Sequence, residues 1–207
     1  MKRHFLLTWF SGVLFALLCA APAQSQGDAI RAPSLGINHI SAPGDPIADQ
    51  RYRNALLLGA GWNRWPLYWD EIETSPGSFN WEGYDRLVMN DLRHGLSINA
   101  ILLDRPEFFA DGTIIAGLNQ PVFSDGSDNP GPGKEINPDN PWANFVFRAV
   151  QHYKPGGELA RQQRWANGEG IRLWEIWNEP DLPQFWQGGI ANYARLLGDP
   201  IFQQSLI

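Results

Sequence analysis

The chain has 207 residues, 16 of them basic and 22 acidic, for a formal net charge of −6, with one cysteine and ten tryptophans. An acidic chain without a basic cluster argues against nucleic acid and anionic membrane surfaces as partners. A lone cysteine excludes a disulfide within the chain.

The N-terminus reads as an export signal. Lys2, Arg3 and His4 form a short basic start, "FLLTWFSGVLFALLCAA" is almost wholly apolar, and Ala21-Pro22-Ala23 offers small residues for cleavage. The apolar run is short for a membrane span and is followed by polar residues. Residues 1–23 are therefore expected to be removed, giving a secreted or periplasmic protein with no membrane attachment. Loss of Lys2 and Arg3 leaves 14 basic residues against 22 acids, a net charge of −8.

Beyond the signal the chain alternates between strand and helix patterns. Residues 34–40 are a short apolar strand. Residues 46–60 are helical and end at Gly59 and Gly61. "GWNRWPLYW" (61–69) is a second strand and "SPGSFNW" (75–81) a turn. From Glu82 the spacing of Leu87, Val88 and Leu92 predicts a helix that stops at His94-Gly95. "LSINAILL" (96–103) is a third strand. Residues 124–141 form a long polar loop whose acidic spacing fits no ordered calcium site. "WANFVFRAVQHYK" (142–154) is a third helix, stopped by Pro155-Gly156-Gly157. "IRLWEIW" (171–177) is the fourth strand, and a fourth helix begins at 190.

Strands separated by helices imply a parallel sheet. No Gly-x-Gly-x-x-Gly follows the first strand, so nothing signals a dinucleotide cofactor. Polar and aromatic residues gather after the C-terminal ends of the strands, as they do in a (β/α)8 barrel. The expected fold is thus α/β, a partial (β/α)8 TIM barrel comprising about the first four βα units. Residues 24–207 are expected to be the N-terminal part of a truncated catalytic domain. Two open strand edges would invite self-association.

"IRLWEIWNEPDLPQFW" (171–186) is the most informative stretch: an apolar strand that ends on Asn178-Glu179-Pro180. Glu175 shares parity with Leu173 and Trp177, which predicts one common face, with Arg64 as its charge partner. Pro180 disfavours the α region for Glu179 and predicts an extended backbone there. A glutamate ending a buried strand beside indole rings is expected to be partly desolvated. Tryptophan faces also suit the apolar faces of sugar rings; nine of the ten tryptophans lie after residue 60.

"LWEIWNEPDLPQFWQGG", with "GWNRWPLYWDEIETSPGSFNWEGYDRLV" upstream, resembles clan A glycoside hydrolases over roughly residues 34–197, closest to the β-xylosidase and iduronidase-like branch and its cellulase-like neighbours. The resemblance implies a retaining (β/α)8 enzyme acting on O-glycosidic bonds of poly- or oligosaccharides. It implies that Glu179 is the general acid/base and that Asn178 holds the sugar 2-hydroxyl. It also implies that Arg64 supports the active-site carboxylates, and that His39 and Trp69 fall where sugar contacts are expected. Trp186 either stacks on sugar or packs on the fourth helix. No metal or cofactor is implied, and the partner is a carbohydrate.

A retaining glycosidase needs a second carboxyl group about 5–5.5 Å from the first. The clan's nucleophile is a glutamate after strand seven, for which this sequence offers no counterpart. The alternatives are a carbohydrate-binding barrel remnant without hydrolysis and a non-functional gene fragment.

The export reading predicts that N-terminal sequencing of secreted protein begins near Gln24. An intact N-terminus recovered from cytosol contradicts it.

Overall fold

The computed structural model describes residues 32–166 and 168–197; the expected signal peptide lies outside the described residues. The chain is a mixed α/β structure on a four-stranded parallel sheet. Its strands are β1 (Ala32–Asn38), β2 (Ala60–Tyr68), β5 (Ser97–Leu103) and β8 (Leu173–Ile176), side by side in that order. Helix α1 (Ala48–Leu57) joins β1 to β2. A single turn, α2 (Trp69–Ile72), and a hairpin of β3 (Glu73–Ser75) and β4 (Ser78–Phe79) precede α3 (Glu82–Arg93). Between β5 and β8 lie the hairpin β6 (Ala110–Asp111) and β7 (Ile114–Ile115), then α4 (Pro141–Tyr153) and α5 (Glu158–Gln163). Helix α6 (Gly189–Leu197) follows β8.

The four expected strands and the helices between them are present, with ends moved by a few residues. Several short elements were not expected, among them α2, the β3–β4 hairpin where the sequence predicts only a turn, the β6–β7 hairpin and α5. The β6–β7 hairpin pairs only Ala110 with Ile115 and Asp111 with Ile114, too short for an alternating pattern to register. Helix α5 has six residues, below the length at which apolar periodicity is readable.

Strand alternation divides the sheet into two faces. Trp65 and Leu67 of β2, and Ile98, Ala100 and Leu102 of β5, point toward the helices. There they meet Leu87 and Val88 of α3 and Trp142, Phe145, Val146 and Ala149 of α4 in one core cluster. Each large side chain fully buried in this way contributes roughly 1.5–3 kcal/mol. Helix α4 begins cleanly: Asn140 accepts the Ala143 N–H at 3.1 Å, and Pro141 occupies the first helical position.

One buried carboxylate ties α1, β2 and α3 together. Asp91 is fully buried and accepts from Tyr52 Oη at 2.7 Å, Asn63 Nδ2 at 2.9 Å and Trp65 Nε1 at 2.8 Å. Burial raises its pKa, while these donors pull it down. Asn63 in turn accepts the Ile40 N–H at 3.1 Å, fixing the chain as it leaves β1. His94, at the C-terminal end of α3, stacks on Tyr52 with ring centres 4.3 Å apart.

A second polar cluster joins α3, α4 and α5. His152, in the last turn of α4, has Nε2 2.8 Å from Asp85 Oδ1 and Nδ1 2.9 Å from Glu158 Oε2, and its ring stacks on Trp81. Ionised carboxylates only accept, so both ring nitrogens donate and the imidazole is charged. Burial lowers its pKa, but the hydrogen bonds and charges of Asp85 and Glu158 outweigh burial and raise it above 6.5.

The folded chain therefore holds the His152 proton more tightly than the unfolded chain. This stabilisation is complete below about pH 6.5 and is lost as pH rises through the raised folded value. Thermal melts taken upward from about pH 6 are expected to show wild-type stability falling relative to His152→Gln. A constant difference between the two proteins across that range would refute the ion-pair assignment.

Candidate functional site

On the face turned away from the helices, the sheet carries a charged network. Arg64 of β2 and Asn99 of β5 are register neighbours, as are Ile101 of β5 and Glu175 of β8. Arg64 reaches over β5 to grip Glu175 with two parallel bonds, Nε to Oε2 at 2.8 Å and Nη2 to Oε1 at 2.6 Å. Asn99 Nδ2 adds a third donor to Glu175 Oε2 at 3.2 Å. The Arg64 hydrogen bond lowers the Glu175 pKa, partly opposed by burial, and the Glu175 hydrogen bond raises that of Arg64. The ion pair inferred from strand parity is thus present. Both of its side chains retain solvent contact, at 26% and 37% exposure, because no layer covers this face among the described residues.

The network continues to the end of β8. Arg64 Nη2 also donates to Asn178 Oδ1 at 3.2 Å, and Asn178 Nδ2 donates to Glu179 Oε2 at 3.1 Å. Asn178 therefore links the guanidinium to the Glu179 carboxylate and orients it.

Two expectations for Glu179 need correction. Its backbone is not extended: φ is 46°, in the left-handed region. Its carbonyl accepts the Leu182 N–H at 3.0 Å, closing a turn that reverses the chain after β8. Proline at 180 weighs against the right-handed α region, and the turn selects the left-handed one. Nor is the side chain buried among indoles; it is exposed, because the tryptophans around it pack toward the helices.

Trp177 explains that packing. Its φ of 63° turns it out of the alternation, so it does not share the face of Leu173 and Glu175. It is buried against Trp142 and Trp186, and its indole N–H donates to the Phe185 carbonyl at 2.8 Å.

Trp69 is corrected as well. It is fully buried, donates to Glu73 Oε2 at 2.6 Å, and stacks on Phe109 and Phe145. It has the parity of Trp65 and Leu67, so it joins the core and is closed to a ligand. Its neighbour Tyr68 has the parity of Arg64 and lines the cavity at this end of the sheet. Trp186 packs on α6: it lies edge-on to Tyr193, and its N–H donates to the Gly189 carbonyl at 2.9 Å. One rim of it reaches the same cavity. His39 is exposed after β1, its N–H bonded to the Arg64 carbonyl at 2.9 Å, and its side chain takes no part in the Arg64 network.

Strain concentrates at this end of the sheet. Among the described residues, five non-glycine residues have positive φ: His39, Asp104, Arg164, Trp177 and Glu179. All but Arg164 stand just beyond the C-terminal ends of β1, β5 and β8. Such backbone costs of order 1 kcal/mol or more per residue and gathers at functional sites. Asp104 and Arg105 were not singled out in the sequence; their position directly after the third sheet strand was the available signal.

Among the described residues no group of three or more His, Cys, Asp or Glu is arranged to hold a metal ion, and no helix is long and apolar enough to cross a membrane. No protein-family model and no curated protein match the sequence. Solved structures similar to this chain include two glycoside hydrolases. One is xylanase B from Clostridium stercorarium F9, at 14% identity and a TM-score of 0.35, over 82% of this chain and 46% of that one. The other is endo-glycoceramidase II from Rhodococcus sp. in a cellobiose-like isofagomine complex, at 20% identity and a TM-score of 0.36, over 81% and 46%. The chain spans about half the length of these structures.

The exposure of the Arg64–Glu175 pair limits its worth. A double-mutant cycle with Arg64→Met and Glu175→Gln is expected to give a coupling of about 0.5–1 kcal/mol, shrinking with added salt. A coupling of several kcal/mol that ignores salt would mean that the pair is dry in solution.

Proposed function

We propose that the chain carries the acid/base half of a secreted retaining glycoside hydrolase, built on about the first four units of a (β/α)8 barrel. Glu179 is the general acid/base in this reading. The observation that carries it is the hydrogen-bonded line from Arg64 through Asn178 to Glu179, at the C-terminal end of a parallel sheet. Active sites of (β/α)8 enzymes lie at that end.

The two network glutamates have different chemistry. Glu175 has both oxygens engaged by Arg64, and its pKa is lowered, so it is a fixed counter-ion. Glu179 has one oxygen on Asn178, and the bonds assigned to it leave the other for a leaving-group oxygen. In the first step Glu179 donates its proton to the glycosidic oxygen while a second carboxylate attacks the anomeric carbon. In the second step Glu179 takes a proton from water as its oxygen bonds to the anomeric carbon and the second carboxylate is released from it. The reading requires an attacking carboxylate in addition to Glu175 and Glu179. Closure of the open face by the rest of such a barrel would exclude water from around Glu179. Asn178 is a positioning residue whose Oδ1 and Nδ2 are both engaged, so holding a sugar hydroxyl would require it to exchange one of these partners.

The test is kinetic. In a protein uniting these residues with the nucleophile-bearing half, Glu179→Gln is expected to lower turnover of a natural oligosaccharide by about 10²–10⁴. The first step on an aryl glycoside with a very good leaving group should suffer least, because it needs little protonation. Glu175→Gln should lower both substrates alike. The reverse pattern would exchange the roles of the two glutamates. The 207-residue chain alone is expected to bind glycans without hydrolysing them.

A further inference from the structure

Beside the Arg64 network lies a cavity of about 450 Å³ whose walls come from four segments. Tyr68 ends β2, Asp104 and Arg105 follow β5, Gly112 and Thr113 form the tip of the β6–β7 hairpin, and Phe185 and its neighbours follow Trp177. The size is that of a small-molecule site. We propose that this cavity binds one ring of a neutral oligosaccharide, and that the adjacent Asp104 and Arg105 select neutral pyranoses against acidic sugars. The proposal rests on the carbohydrate reading given above.

The aromatic wall has no free donors of its own at the two indoles. Trp177 Nε1 is spent on the Phe185 carbonyl and Trp186 Nε1 on the Gly189 carbonyl. These bonds brace the segment that presents Phe185, which is 42% exposed despite being apolar. A solvent-facing aromatic ring held by its own backbone suits the C–H face of a sugar better than it suits water.

The polar wall is equally preorganised. Arg105 is tied to the hairpin, Nε to the Ile114 carbonyl at 3.1 Å and Nη2 to the Gly112 carbonyl at 2.9 Å. Asp104 adopts a φ of 65°, and its Oδ1 accepts the Arg105 N–H at 2.8 Å. A fixed cation and a fixed anion thus stand on consecutive residues. A hydroxyl pair can donate to the carboxylate and accept from the guanidinium at once, and hydrogen bonds to charged groups are the stronger kind.

A sugar carboxylate gains Arg105 and meets Asp104 beside it. One further carboxylate lies close to Asp104: Asp70, whose pKa is raised by burial and then by Asp104 and Glu71; Glu71 itself turns to the Tyr84 hydroxyl and a separate cavity. Tyr68 is raised for the same reasons, by burial first and then by Glu71, Asp104 and Asp70. With Asp70 beside Asp104, two carboxylates stand against the one guanidinium of Arg105, an arrangement that disfavours an anionic ring.

The test uses the purified chain, with saturation-transfer NMR and tryptophan fluorescence as readouts. Xylotriose and cellotriose are the neutral probes and trigalacturonate the acidic one. The expected result is binding of a neutral trisaccharide at least about tenfold tighter than trigalacturonate, the scale of one unfavourable charge contact. Asp104→Asn keeps an acceptor for the Arg105 N–H while removing the charge. It should weaken the neutral ligand and narrow the preference about tenfold. Phe185→Ala should weaken the neutral probes without altering the preference. Trigalacturonate binding as tightly as the neutral probes overturns the selectivity while leaving the carbohydrate reading intact. Equal binding by wild type and Asp104→Asn overturns the role of Asp104. Failure of every glycan to bind overturns both this proposal and the carbohydrate reading.

Discussion

The geometry of the site hangs on the grip of Arg64 on Glu175. β2 and β8 are not neighbours; β5 lies between them, and the guanidinium spans that gap. Once Arg64 is fixed by the two carboxylate oxygens, its Nη2 has one direction left, and that direction leads to Asn178 and through it to Glu179. A residue on the second sheet strand thereby sets the position of a carboxylate beyond the fourth. The partial exposure of the pair means that this arrangement is worth more as positioning than as stability.

The opposite face of the sheet works by different physics. It is dry, aromatic and closely packed, and its buried charged groups are satisfied internally. Asp91 gathers three donors from two other elements, and His152 is clamped between carboxylates of α3 and α5. These clusters fix how α1, α3 and α4 sit on the sheet. Tryptophan, abundant in this chain, serves mainly on this side: Trp65, Trp69, Trp142, Trp177 and Trp186 are all buried. At the cavity beyond β2 and β5 the exposed apolar ring is instead a phenylalanine, Phe185.

The positive φ values show how one end of the sheet departs from regular strand geometry. Regular strands alternate their side chains, which by itself gives two uniform faces. Left-handed residues at the strand ends break that rule. At Trp177 the break sends an indole into the core, and at Glu179 it sends a carboxylate into solvent. At Asp104 it sets an anion beside Arg105 at the mouth of a cavity.

The sequence by itself determined the four parallel strands and the long helices between them, because hydrophobic periodicity and glycine or proline stops are local properties of the chain. It also determined the pairing of Arg64 with Glu175, because parity put both on one face and an ion turned inward needs a counter-ion. Parity would further have assigned Trp69 to the core with Trp65 and Leu67, had it been followed past the end of β2. The fate of Trp177, the backbone of Glu179, the β6–β7 hairpin, and the meeting of Tyr68, Arg105 and Phe185 were decided only by the tertiary structure. Left-handed residues are set by turns and by hydrogen bonds such as that from Leu182 to Glu179, which local propensity does not encode. A cavity wall is a coincidence in space of segments more than a hundred residues apart, and no periodicity within any one of them records the others.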